Sequence, residues 1–171
     1  MSADTITTAL FLITAVIAAG VLINAIYPVV FNMAGTFSSA THESDQRLRT
    51  DFKIVNYLGN GDAKTGTIWL KNVGSSRISV DEILRSDVFC GAVGKFVRLN
   101  YNTGSGDGWY AEIKNSIDQD QNNEYWDPGE TLQITFASSS LPTKSDGTNA
   151  YFQFILPNGI WRSTEFTMNY S

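Results

Sequence analysis

The sequence has very few of the side chains that form most catalytic and metal sites. Its 171 residues include one cysteine, Cys90, and one histidine, His42. A single cysteine excludes a disulfide within the chain, and this pair cannot build the usual His/Cys metal site within one chain. His42 has no nucleophile near it in the sequence, and the context of Cys90 (DVFCG) suggests a small buried apolar residue. We therefore expect a protein that is not an enzyme and has no small-molecule substrate.

Basic residues are also few and scattered. The 12 Lys and Arg residues are outnumbered by 17 Asp and Glu residues, which gives a net charge of −5 at pH 7. From Asp51 onward the 14 acidic and 10 basic side chains are mixed, and the basic ones occur singly. Nucleic-acid binding needs clustered positive charge. The composition therefore predicts no nucleic-acid partner.

The longest stretch without a formally charged side chain lies between Asp4 and Glu43. Residues 6–31 are apolar except for threonines, one Gly, one Asn and one Pro. As a helix they would extend roughly 39 Å, more than the ~30 Å hydrocarbon core of a bilayer. No basic region precedes them and the apolar run is longer than that of a signal peptide, so we expect the segment to be retained. The pattern predicts a membrane partner.

Small residues recur within this segment at spacings that let helices approach closely. They predict helix packing, in a homo-oligomer or a filament, while a single membrane anchor remains an alternative. Pro28 predicts a kink, because it cannot donate a hydrogen bond to the carbonyl of Asn24. The candidate packing residues are Ala15, Ala18, Ala19, Gly20 and Ala25.

The character of the chain changes near residue 50. We expect residues 1–49 to form a hydrophobic helix and stalk, and residues 50–171 to form a globular head. Arg47, Arg49 and Lys53 follow the apolar segment, so the positive-inside rule slightly favours a cytoplasmic head.

The head has the pattern of an all-β domain. Short runs of alternating or β-branched and aromatic residues are separated by Gly-, Asn-, Asp- and Pro-containing turns, including KNVGS at 71–75 and WDPGE at 126–130. This pattern predicts an immunoglobulin-like antiparallel β-sandwich. Residues 80–85 fit either a helical turn or a strand. The predicted strands are 52–57, 67–72, 96–101, 109–113, 131–137, 151–156 and 165–170.

One acidic segment is a candidate calcium site. Oxygen-bearing side chains alternate there as in a calcium-binding loop, but a Gly and a final Glu are missing from their expected positions. A solvated acidic loop is the alternative, and we expect no other cofactor. The candidate ligands are Asp118, Asp120, Asn122, Asp127 and Glu130.

Two further motifs have simple interpretations. Residues 59–66 (GNGDAKTG) hold glycines and a lysine as a phosphate loop does, but a strand follows, so a hairpin tip is expected. Asn169 begins an N-glycosylation sequon, Asn-Tyr-Ser.

Several stretches together resemble the archaellum accessory protein G family. They are the apolar start TITTALFLITAVIAAGVLI, the junction RTDFKI and the head motifs WLKNVG, SDVF, WDPGE and FILPNGIWRS. The chain is more distantly similar to accessory protein F, archaellins and type IV pilin-like subunits. The resemblance implies a structural, non-catalytic part of the archaeal motility machinery.

In such a protein the helix would lie in the cytoplasmic membrane and the head outside it, which reverses the orientation that the charges favour. The head would steady or anchor the filament, with other archaellum subunits and the surface layer as partners. The alternative is an archaellin or pilin-like subunit, whose helix lies in the core of a filament, although this chain has no basic leader before its helix. A third interpretation makes the head a surface module that binds glycan or calcium.

Overall fold

The computed structural model describes residues 2–102, 104, 106–114, 124–145, 147 and 149–171, without the side chains at 2, 38–40, 42 and 43. Contacts between residues divide the chain into two units, Met1–Asp45 and Gln46–Ser171. The predicted boundary between residues 49 and 50 stays a prediction.

The first element is a long helix, α1 (Ser2–Arg49). Asp4 in its first turn and the arginines in its last turn match the helix dipole. Threonine hydroxyls within the apolar part donate to backbone carbonyls one turn earlier, as Thr14 does to Leu10 at 2.9 Å, so they expose no unsatisfied donor. Pro28 lies inside the helix, and the kink predicted there remains a prediction.

The described residues of the head, from Gln46 onward, form ten strands and one short helix. Eight of the strands form two four-stranded antiparallel sheets, β1-β2-β8-β6 and β10-β9-β4-β5, and the other two form the small sheet β3-β7. The elements are β1 (Phe52–Asn60), β2 (Thr65–Asn72), β3 (Ile78–Ser79), α2 (Val80–Leu84), β4 (Asp87–Ala92), β5 (Lys95–Leu99), β6 (Gly108–Lys114), β7 (Tyr125–Trp126), β8 (Thr131–Ala137), β9 (Asn149–Ile155) and β10 (Trp161–Thr167).

This strand order is that of an immunoglobulin-like sandwich. If β1, β2, β6 and β8 are strands A, B, D and E, the first sheet has the order A-B-E-D, and the second becomes G-F-C with an added C′ strand. The predicted fold class, an all-β head on a long hydrophobic helix, is confirmed.

The core lies between the two large sheets. Alternate residues of each central strand are buried, as in β8 and β9, where every second residue faces inward. Aromatic rings meet across the gap: Phe136 stacks on Phe152 at 5.1 Å, and Phe52 contacts Phe154 edge-on at 5.6 Å. Such pairs add to the stability that burial alone provides.

Three sequence expectations need correction or resolution. Strand β4 was not expected, because Gly91 interrupts its alternating pattern. The strand predicted at 165–170 begins earlier, at Trp161, and ends at Thr167. Residues 80–85 hold a helical turn, since the Ser79 hydroxyl accepts a bond from the Glu82 N–H while the Glu82 carboxylate accepts one from the Ser79 N–H.

Cys90 provides a test of this packing, because its side chain is completely buried at 0% exposure. Burial raises the pKa of its thiol from 9.0 to about 12, against the lowering effect of a hydrogen bond with Ser138. Because the pKa of the thiol is higher in the folded than in the unfolded protein, the stability gained by keeping the thiol protonated is complete below pH 9. It is lost as the pH rises toward 12. We expect no reaction with a thiol reagent at pH 8 in native protein and full reaction in urea. Rapid reaction without denaturant would contradict the packing.

Candidate functional site

The most unusual surface in the molecule is the apolar part of α1. Every residue from Ala3 to Phe37 is exposed, and this segment is long and apolar enough to span a membrane. Soluble monomers rarely expose an apolar surface this large, because its burial is worth roughly 25 cal/mol per Å². In the described part of the chain these side chains remain exposed, so the surface is available to lipid or to other proteins.

The predicted packing residues all lie on this exposed helix. Ala15 and Ala19 are one turn apart, and Ala18 and Ala25 two turns apart, with Gly20 beside them. An added Cβ at Gly20 would meet no atom of the chain within 4 Å. A neighbouring helix has room to approach here, and the packing role stays a prediction.

A second feature is the way the head holds the end of α1. The last turn, from Gln46, belongs to the head unit. The carbonyl oxygen of Arg49, which has no partner within the helix, accepts hydrogen bonds from the N–H groups of Ser75 at 2.9 Å and Ser76 at 3.1 Å. A Cβ at Gly74 would overlap that carbonyl, so only glycine allows this approach.

Asn72 organises the turn that makes these contacts. Its side-chain amide nitrogen donates to the carbonyls of Ser76 and Trp126, both at 3.0 Å, and its side-chain oxygen accepts from Gly74 N–H at 3.0 Å. The residue is 1% exposed, so each of these bonds replaces one to water.

The WDPGE segment completes the same network. The Glu130 carbonyl accepts from the Asn72 N–H and from the indole Nε1–H of Trp126, both at 3.0 Å. Gly129 N–H donates to the Asn72 carbonyl at 2.8 Å. We call Asn72, Gly74, Trp126, Gly129 and Glu130 the Asn72 cluster.

From the sequence we predicted two separate turns here, but not that they join into one hydrogen-bonded structure. Lys71 pairs with Thr131 in the ladder between β2 and β8, which brings the ends of both motifs together. A sequence signal existed, because each motif adjoins a predicted strand. The pairing of those two strands was the missing information.

The structure bears on part of the predicted calcium site. Asp118, Asp120 and Asn122 lie outside the described residues. The Glu130 side chain accepts the N–H of Asp127 at 2.9 Å, and Asp127 forms an ion pair with Arg77 at 3.4 Å, so both carboxylates take part in the turn. In the described part of the chain, no three His, Cys, Asp or Glu side chains form a metal-binding group. The calcium site remains a prediction.

Asn169 of the sequon is exposed, but its backbone is engaged. Its N–H donates to the Gly59 carbonyl at 3.0 Å, and its own carbonyl accepts from Gly61 N–H at 2.7 Å. Glycosylation at this position stays a prediction.

Comparison with known proteins shows the family to which this chain, with its exposed apolar helix and immunoglobulin-like head, is similar. The profile of the family described as archaeal-type flagellin matches residues 2–166. The chain belongs to the archaeal-type flagellin family. This confirms the archaellum resemblance found in the sequence.

Individual relatives agree with this family. An uncharacterized protein of Archaeoglobus fulgidus is 28% identical over 170 residues, which cover 98% of this chain and 99% of the relative. The archaellum periplasmic stator protein FlaG from Sulfolobus acidocaldarius is 25% identical, with a TM-score of 0.54 over 68% of this chain and 99% of that one. The archaeal flagellum of Methanospirillum hungatei strain JF1 shares the fold, with a TM-score of 0.65 over 96% of this chain and 93% of that one at 13% identity.

The Asn72 cluster can be tested by Asn72→Ala. Removing the amide takes the Asn72 donor away from the carbonyls of Ser76 and Trp126, while Gly74 N–H keeps its bond to the Asp51 carbonyl, so we expect the free energy of unfolding of the head to fall by about 2–4 kcal/mol. Urea denaturation followed by tryptophan fluorescence measures this. Asn149→Ala, at an exposed position in β9, is the matched control and should change the free energy by less than about 0.5 kcal/mol. Equal effects of the two substitutions would show that the cluster has no special role.

Proposed function

We propose that this member of the archaellum family is a membrane-anchored structural protein that steadies or anchors the filament at the cell envelope. The observation that carries the proposal is the exposed apolar surface of Ala3–Phe37, joined in one chain to an immunoglobulin-like head. A catalytic role has no support from the described residues, where no cluster of potential metal ligands occurs and Cys90 is buried.

The stator protein FlaG supports this proposal most directly. It is an archaellum periplasmic stator protein, and its similarity to this chain covers nearly all of its own length. By analogy, residues 1–49 hold the protein in the cytoplasmic membrane, and residues 50–171 form a head on the outer side. There the head would contact other archaellum subunits or the surface layer. This orientation opposes the weak charge signal from the arginines that end α1.

A filament subunit is the second candidate. The observation in its favour is that the fold shared with the Methanospirillum flagellum extends over 96% of this chain, so it includes most of α1 as well as the head. In that assembly the exposed apolar residues would be covered by the helices of other copies. The small residues Ala15, Ala18 and Ala19 suit such close packing.

Membrane anchoring is tested by Ile17→Asp combined with Val21→Asp, near the middle of the apolar segment. Each aspartate at the centre of a membrane helix costs roughly 2.5–3.5 kcal/mol of insertion free energy. We expect the wild-type chain to remain in the membrane pellet after alkaline carbonate extraction and a large share of the variant to move to the supernatant. Lys53→Glu combined with Lys71→Glu, which changes only exposed residues of the head, should stay in the pellet. Wild-type protein in the supernatant would refute the anchor.

Electron microscopy of purified full-length protein separates the two candidates. An anchored accessory protein should give discrete particles in detergent micelles. Helical fibres that persist in detergent would favour the filament subunit and contradict the proposed anchoring role.

A further inference from the structure

Strand β5 is one of the two edge strands of the second sheet. It pairs with β4 along one edge and lies at the end of the strand order. Among the described residues, no backbone hydrogen bond reaches the other edge of residues 95–98. Unpaired N–H and C=O groups in such a row can form a ladder with another extended chain.

The side chains of β5 are exposed on both faces. All four residues from Lys95 to Arg98 are exposed, and Phe96 and Val97, which point to opposite faces, are 48% and 41% exposed. Val93, in the turn before the strand, is 47% exposed. An added strand would cover apolar surface on both of its faces, as the pleat of a sheet requires.

A cavity of about 780 Å³ lies beside this edge. One wall consists of residues 92–97, which are apolar apart from Lys95 and include Phe96 and Val97. The other wall, formed by residues 139–143, contributes the hydroxyl-bearing residues Ser139, Ser140 and Thr143. We call this cavity and the free edge of β5 the β5 groove. Its volume is in the range of sites that bind peptides or small molecules.

The charge of the β5 groove is opposite to that of the whole chain. Among the described residues, Lys64 and Lys95 line it and no carboxylate does, although the net charge of the protein is −5. The Lys64 ammonium donates one hydrogen bond to the Ser139 carbonyl at 2.9 Å and keeps two further N–H donors. Asp107, which binds Ser139 from outside the cavity, is engaged by the N–H and hydroxyl of that residue at 2.9 and 2.6 Å.

We propose that the β5 groove binds an extended, acidic segment of a partner protein by strand addition. The segment would pair with the free edge of β5, with its apolar side chains on the face of Phe96 and its carboxylates on the face of Lys95. Its carboxylates would meet Lys64 and Lys95. Main-chain hydrogen bonds supply affinity in such complexes, and side-chain pockets supply specificity.

Charge argues against a second copy of this chain as the occupant. If two β5 strands paired with each other, each would bring its Lys95 toward Lys95 and Arg98 of the other, and Arg98 already has Asp87 as its ion-pair partner. Lysine on an edge strand is a common device against such self-pairing. An acidic strand turns the same lysines into attractive contacts.

This inference adds a class of partner to the proposed anchoring role and rests on that role only for its biological setting. The test needs neither membrane nor filament, so its failure would leave anchoring untouched.

A fluorescein-labelled peptide of eight residues, alternating valine and glutamate, is titrated with full-length protein in detergent micelles. We expect saturable binding with a Kd below about 1 mM by fluorescence polarisation. A peptide with lysine in place of glutamate should bind at least about tenfold more weakly.

Two protein variants locate the site. Lys64→Glu combined with Lys95→Glu should weaken binding at least about tenfold, because both attractive contacts become repulsive. Lys53→Glu combined with Lys71→Glu is the matched control. It makes the same change of charge at a cross-strand lysine pair of the first sheet, and it should leave the Kd within about twofold. Circular dichroism and melting curves of both variants serve as the control that they are folded.

A third reagent tests strand addition itself. N-methylation of alternate residues of the peptide removes donors needed for the ladder while keeping every charge. The methylated peptide should bind at least about tenfold more weakly than the original. Equal loss in the two lysine variants, equal binding of the methylated peptide, or no binding at 1 mM of the original would each overturn the proposal.

Discussion

The constraint on which the rest of the structure depends is the exposure of 35 consecutive residues of α1, from Ala3 to Phe37, in which Asp4 is the one formally charged side chain. The head makes no use of these side chains for its own core, which lies between its two sheets. A chain with such a segment cannot remain a monomer in water at a reasonable cost in free energy. We propose lipid or the helices of other subunits as that cover.

The head, in contrast, is complete in itself. Phe52, Phe136, Phe152 and Phe154 fill the space between the sheets, and the C-terminal turn of α1 is held by the backbone of the 73–76 turn. The Asn72 cluster joins that turn to the small sheet and to the start of β8, so the place where the helix ends is tied to the sandwich core by buried hydrogen bonds.

Much of this arrangement follows from the sequence, and the rest depends on contacts between distant residues. The charge-free segment between Asp4 and Glu43 predicted the helix, and alternation predicted most strands, including β8. Strand β4 was missed because Gly91 breaks the alternation. The Asn72 cluster and the β5 groove were missed because they depend on which strands are neighbours and which remain at an edge, and local patterns do not contain that information. The capping box that begins α2 at Ser79 could have been recognised from the spacing of Ser79 and Glu82 alone.

The most direct test of the account measures whether α1 is covered in native membranes. Because Cys90 is buried, cysteines introduced singly as Leu12→Cys, Ala19→Cys and Ile26→Cys can be followed with a maleimide without background. The account predicts that all three react far more slowly than Asp45→Cys, which lies beyond the apolar segment. Urea without detergent should raise the reactivity of the three helix positions only where it separates the protein from its partners. Reaction of the three helix positions as fast as Asp45→Cys in untreated membranes would contradict it.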